Sequence, residues 1–193
     1  MVKTNFLKKL IKINGIGFWI FFGTIFFFNI LIFLTPILLM LGFNEVANGL
    51  YFGFSFACHQ LNSRSYCIFN NSISDCTYNS SYLEYTKTQT VLKDGFLGYK
   101  FPVCSRDIGI YFSILIGAIV WGFLNRKNLS NSSLPPKIIL FLALLPVGID
   151  GGAQFLGFWE SSNIIRLTTG ALAGFVCSFY AIPLLNEFFK SFR

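Results

Sequence analysis

Charge is what this chain has least of. Lysine and arginine contribute 15 residues and aspartate and glutamate 8, so charged side chains are 12% of 193 residues, about half the share usual in a soluble domain. Histidine occurs once, which excludes an HExxH metalloprotease helix and any histidine-rich metal tract. No glycine-rich phosphate loop is present, and no nucleophile and base stand at a diagnostic spacing, so the common soluble-enzyme signatures are missing. In place of charge there is apolar surface: 54% of the residues are hydrophobic, 19% are aromatic and 25 are phenylalanine. That excludes disorder and exceeds what one modest globule can hide, so lipid must cover part of it.

A helix rising 1.5 Å per residue needs about 20 apolar residues to cross a hydrocarbon core about 30 Å thick. Residues 15–41, 107–124, 138–159 and 164–189 meet that requirement. The expected fold is an all-α membrane protein, one domain over residues 1–193, in which a bundle of about four transmembrane helices carries a long outer segment, residues 42–106, between the first and second. Pro36 should kink the first helix near its outer end. The apolar run after Lys8, Lys9 and Lys12 is too long for a signal peptide and no small-residue cleavage site follows it, so it is read as an uncleaved helix.

Basic residues near helix ends resist translocation. Lys3, Lys8, Lys9 and Lys12 place the N-terminus inside, and four crossings bring Arg126, Lys127, Lys137, Lys190 and Arg193 to the same face. Nine of the 15 basic residues thus share the inner side with a single acid, Glu187. The expected location is the cell membrane, with both termini cytoplasmic. The excess positive charge is then topological: it fits membrane lipid headgroups and forms no aromatic-interleaved patch of the kind that binds nucleic acid.

The outer segment holds most of the unusual residues. At its start, Phe52, Phe54 and Phe56 alternate as in a strand while Val46, Leu50 and Phe54 recur at helical spacing, so periodicity leaves the type open and the membrane context favours an interfacial or re-entrant helix. Residues 67–93 are rich in Asn, Ser, Thr and Tyr and carry glycosylation sequons at Asn70 and Asn79, as a solvated insertion would. A Cys67–Cys76 disulfide would pin it. Cys177, inside the last helix, is read as a small apolar residue. For Cys58 and Cys104 two readings stand: a second disulfide joining the start of the segment to the second helix, or a thiol or metal site. Cys58, His59, Cys104 and Asp107 offer sulfur, imidazole and carboxylate donors, a mixture that suits zinc or another transition metal as cofactor. Adjacent Cys58 and His59 could ligate together only across a turn.

Asp150 lies about twelve residues past the inner end of its helix, hence about 18 Å into the core. Ionisable residues at such depth face the bundle interior, pair with something and are functional candidates by default. Gln154 follows on the same face, Gly151 and Gly152 offer a place for the helix to break, and Arg166 is the natural partner of Asp150 or Glu160. An interhelical ion pair that specifies bundle geometry would explain these residues equally well. Arg64, Arg106 and Arg166 all fall near the outer face, and arginine forks bind phosphate or carboxylate. Gly109, Ser113 and Gly117, like Gly170 and Gly174, place small residues at four-residue spacing for close helix packing.

Together Cys58-His59-Gln60, Arg64-Ser65, Pro102 to Arg106 with Gly109, Asp150-Gly151 with Gln154, and the stretch from Ser161 to Gly170 containing Asn163 and Arg166 resemble an uncharacterised prokaryotic membrane-protein family, domain of unknown function 2085. Its members often carry a second cysteine three residues after the first, where this chain has Asp107, and usually have a shorter outer loop. The resemblance implies a membrane location and a shared polar site; it supplies no reaction.

These readings converge on an outward-opening polar pocket in which Asp150, Gln154, Asn163 and Arg166 meet Gln60, Arg64, Arg106 and the two cysteine motifs, and which binds a metal ion or an anionic, lipid-linked ligand. In an enzyme, His59 or Asp150 would be the acid/base candidate and the arginines would stabilise negative charge. In the alternative, a small-substrate carrier or accessory membrane protein, Asp150 and Arg166 couple substrate or protons and the outer cysteines are structural disulfides. The orientation is directly testable. Fluorescent protein fused after Arg193 should fluoresce and alkaline phosphatase fused there should be inactive; the opposite pair of results contradicts a cytoplasmic C-terminus.

Overall fold

The computed structural model describes residues 14–70, 72–77 and 87–192. The basic N-terminal residues Lys3, Lys8, Lys9 and Lys12, the sequon at Asn79 and Arg193 lie outside them. Four helices are long and apolar enough to cross a membrane: α1 (Ile16–Met40), α3 (Ser105–Leu124), α4 (Lys137–Phe155) and α5 (Asn163–Lys190). Between α1 and α3 lie a short helix, α2 (Asn44–Ser55), a 3-10 turn (Asn62–Arg64) and the strands β1 (Tyr66–Phe69), β2 (Ser72–Asp75), β3 (Thr90–Lys93) and β4 (Phe96–Lys100).

The expectation of an all-α chain is therefore corrected. Within residues 67–93, read from sequence as a polar excursion, the backbone builds most of a four-stranded antiparallel sheet in the order β2-β1-β4-β3. Asp94-Gly95, at φ 52° and 80°, is the two-residue turn whose positive φ values match the twist of a hairpin. It pairs Lys93 with Phe96 and Leu92 with Leu97. The disulfide Cys67–Cys76 ties β1 to the residue after β2, and both sulfurs pack with Phe69 in a small core of their own.

Residues 44–55 resolve as a helix rather than a strand. Twelve residues reach about 18 Å, too short to span, and Val46, Phe52 and Phe56 remain exposed along it, as in an interfacial helix. The third long helix stops earlier than expected, at Phe155 instead of residue 159, and runs unbroken through Gly151-Gly152. Gly157 stops it: at φ 75° its N–H bonds Gln154 O at 3.2 Å while Phe158 N–H bonds Ala153 O at 3.0 Å, the paired bonds of a glycine C-cap.

The bundle is organised around α3 and α5. A Cβ on Gly109 would stand 2.3 Å from Leu167 O and one on Gly174 2.3 Å from Ile110 O, so the two backbones touch where only hydrogen fits. α1 packs across this pair through Phe18, stacked on Trp121, and through Ile32. α4 is peripheral, with Ile138, Phe141, Leu142 and Ile149 more than half exposed, as lipid-facing side chains are in a structure without lipid. At one end Asn186 closes the bundle, donating to Leu129 O and Asn131 O and accepting from Phe18 N–H. At the other, the first turn of α5 meets the sheet through Asn163, which donates to Asp75.

Gly109→Ala or Gly174→Ala should force α3 and α5 apart and cost about 2 kcal/mol. Gly148→Ala, inside α4 and with nothing within 4 Å of its added methyl, should not destabilise and should gain up to about 1 kcal/mol of helix propensity. Thermal unfolding in detergent checks the contrast; equal behaviour of the three variants would contradict this packing.

Candidate functional site

At the sheet end, five charged residues from five segments are drawn together. Asp150 on α4 receives the Arg106 guanidinium, from the first turn of α3, through Nη2, and Ser161 Oγ donates to the same carboxylate oxygen at 3.3 Å. Glu160, in the connection between α4 and α5, faces Arg166 Nη2 at 3.5 Å and Arg64 Nε at 3.9 Å. The partner expected of either acid, Arg166, thus goes to Glu160, and Asp150 takes Arg106. Arg166 is only 1% exposed. Gln154, one turn beyond Asp150, accepts from Arg64 Nη2 at 3.2 Å and Arg166 Nη2 at 2.6 Å in the amide orientation its partners select. Nε of Arg64, Arg106 and Arg166 is buried without a hydrogen-bond partner, as are Asp150 Oδ1 and Glu160 Oε2.

Asn163 is the hinge between this cluster and the sheet. Its amide donates to Asp75 Oδ1 at 2.9 Å and Ser63 O at 3.4 Å, while its carbonyl accepts from Ser105 Oγ and Arg166 Nη1. It is a buried connector, and neither Asn163 nor Asp150 reaches the wall of the cavity that the other site residues form.

That cavity, about 200 Å³, is lined by Arg64, Arg106, Gln154 and Arg166 and by Cys58, His59, Gln60, Cys104 and Asp107. The two cysteines are adjacent and both free. Cys104 is the N-cap of α3 and Asp107 lies in its first turn, which brings Cys104 Sγ within 3.0 Å of Asp107 Oδ2. Cys58 Sγ accepts from the backbone N–H of Cys104 at 3.2 Å and of Gln60 at 3.5 Å. The Cys104 thiol, helped by the Gln60 amide, pulls the Cys58 thiol below its usual range against burial, and the same contact with Cys58, then burial, pushes Cys104 well above it. Cys58, Cys104 and Asp107 hold their donor atoms within 4.8 Å of one another. His59 lines the cavity but is exposed and stands outside that group of three.

The loop holding Cys58 is fixed by residues that sequence reasoning passed over. Lys100, at the end of β4 and 1% exposed, donates to Gln60 O at 2.7 Å and Asn62 Oδ1 at 2.8 Å. Gln60 Nε2 donates to Tyr51 O at 2.7 Å, and the Tyr51 hydroxyl donates to Lys100 O. Burial lowers the Lys100 pKa to about 8 and raises that of Tyr51. The Asp94-Gly95 turn was the signal that could have placed Lys100 on a strand; nothing local marks it as buried.

A small polytopic membrane protein with a buried arginine-carboxylate cluster and a dithiol-carboxylate corner at one end of its bundle is the class these features define. The chain belongs to the family described as predicted membrane protein, DUF2085, which matches residues 95–180. Among its relatives, a protein of Methanocaldococcus jannaschii described as uncharacterized is 32% identical over 97% of this chain and 100% of its own length. A shorter uncharacterized protein of Methanothermobacter thermautotrophicus is 35% identical over 41% of this chain and 68% of its own. No solved structure matches.

Unfolded lysine keeps its proton to about pH 10.5, whereas folded Lys100 releases it near 8. Between those values the unfolded state binds the extra proton, so the contribution of Lys100 to stability rises with pH. The stability of the wild type relative to Lys100→Met should grow by about 2 kcal/mol from pH 7.5 to 10. Denaturation measured in detergent across that range checks it; a flat or falling difference contradicts it.

Proposed function

We propose that this is a cell-membrane protein, its sheet end outside, whose cavity binds the anionic headgroup, phosphate or carboxylate, of a lipid-linked ligand. One observation carries the reading: three arginines line one cavity of about 200 Å³ with Nε of each buried and without a hydrogen bond. A guanidinium offers five N–H donors, and the two acids nearby accept only a few of those fifteen or so. Groups that cost this much to bury are retained where something fills them. An oxyanion does so with bidentate, charge-assisted bonds.

The lipid part of the proposal rests on the neighbouring surface. An apolar groove of about 280 Å³ runs between α1 and α2, lined by Phe28, Leu31, Gly49, Leu50, Gly53 and Phe54, and it meets the arginine cavity at Ala57, which lines both. Headgroup and chain of one amphiphile would therefore occupy adjoining spaces. Gly49 and Gly53 line this groove, and a Cβ on either would meet nothing within 4 Å. The carrier reading draws less support, since α4 is continuous at Asp150 and Cys58 and Cys104 are unbridged.

Dodecyl phosphate in a neutral detergent is the first probe. At about 100 times its Kd it should stabilise the protein by about 2.7 kcal/mol, read as a rise in the unfolding midpoint. Arg64→Gln, at the more exposed edge of the cluster, should weaken the effect at least tenfold in concentration. Gly53→Leu should weaken it for dodecyl phosphate and not for inorganic phosphate. No stabilisation by either probe, or an unchanged response in Arg64→Gln, overturns the reading; a full response to inorganic phosphate with none further from the alkyl chain points to a soluble anion.

A further inference from the structure

We infer that Cys58, Cys104 and Asp107 form a binding site for one zinc-class divalent cation, in the cavity that the arginines also line. Three donors of a kind that zinc accepts, two sulfurs and a carboxylate oxygen, lie within 4.8 Å of one another. Tetrahedral zinc, with bonds of about 2.3 Å to sulfur and about 2.0 Å to oxygen, needs its donors about 3.5 Å apart. Rotamer adjustment of the three side chains is what closing that difference requires.

The surroundings fit a cation with thiolate ligands. Cys104 and Asp107 stand three residues apart at the start of α3, so one helical turn aims both at the same point. The helix N-terminus favours negative charge there. Backbone N–H groups of Cys104 and Gln60 point at Cys58 Sγ, the outer-shell hydrogen bonds that orient a thiolate ligand. Among the described residues Asp107 makes no ion pair: Arg106, its neighbour in sequence, is committed to Asp150. A divalent cation held by two thiolates and a carboxylate carries one net negative charge, which the arginines lining the same cavity offset. All three donors line the cavity, so a fourth position opens into it, where water or an oxygen of a bound anion fits. Free paired thiols are also unusual in a chain whose Cys67 and Cys76 are oxidised, and metal ligation is the common way of keeping such a pair from bridging.

The test uses the full chain without a histidine tag, purified in detergent. Elemental analysis should find close to one zinc per chain. After its removal, Co²⁺ added to the reduced wild type should produce thiolate-to-cobalt charge-transfer absorption saturating at one equivalent. Cys58→Ser, Cys104→Ser and Asp107→Asn should each weaken binding by tenfold or more, whereas Cys177→Ser should bind as the wild type does. The wild-type titration decides the matter even where a variant does not fold. Absence of both native metal and the cobalt absorption overturns the inference, and so does a Cys58–Cys104 disulfide found by non-reducing peptide mapping of the purified protein.

Discussion

A guanidinium within an apolar bundle has to be compensated where it stands, and the side chain of Arg166, 1% exposed, imposes that constraint on everything at the sheet end. Glu160 must reach it from the connection between α4 and α5, Gln154 from the last turn of α4, and Asn163 from one turn earlier on α5. Asn163 in turn grips Asp75 and Ser63. One buried cation thus accounts for why the sheet sits against the helix ends instead of standing free. Each of these bonds is individually modest, about 1 kcal/mol; removal of one partner would be far more costly, because a charge would remain buried alone.

Close helix packing makes the cluster possible. Glycines 109, 170 and 174 let α3 and α5 touch, which brings Arg106 on one helix level with Arg166 on the other. Gly151 leaves space beside the Arg106 guanidinium, 3.4 Å from where a Cβ would be. From the opposite side, Tyr51 and Lys100 hold the Cys58–Asn62 loop down on the cavity. The result is a pocket with two chemically distinct sets of lining groups, one cationic and one soft and anionic, opening beside an apolar groove. In the proposed account the arginines take the headgroup, the groove takes the chain, and the thiols and Asp107 take the metal.

Much of this was legible in the sequence, for definite reasons. Hydropathy located the four spans to within a few residues, because a run of about 20 apolar residues has few other uses. The rarity of charge drew attention to Asp150, Arg64, Arg106 and Arg166, and the structure gathers those arginines on one cavity. The pairings were not legible, since which acid meets which arginine depends on helix rotation and on where Gly157 ends α4. The sheet was missed because its strands are four or five residues long and polar enough to read as loop. Alternation in Phe52, Phe54 and Phe56 pointed the other way, toward a strand, on a segment that is helical. The Asp94-Gly95 turn was the one local signal for β structure. Lys100, a charged residue in a short strand, carries no mark of being buried until the fold places Gln60 and Asn62 around it.

Native mass spectrometry of the protein released directly from its membrane tests the central claim most closely. The account predicts that the wild type retains about one phosphate- or carboxylate-bearing lipid per chain, and that Arg64→Gln and Gly53→Leu each release it while remaining folded. Wild type free of anionic lipid, or the same lipid retained equally by both variants, would contradict it.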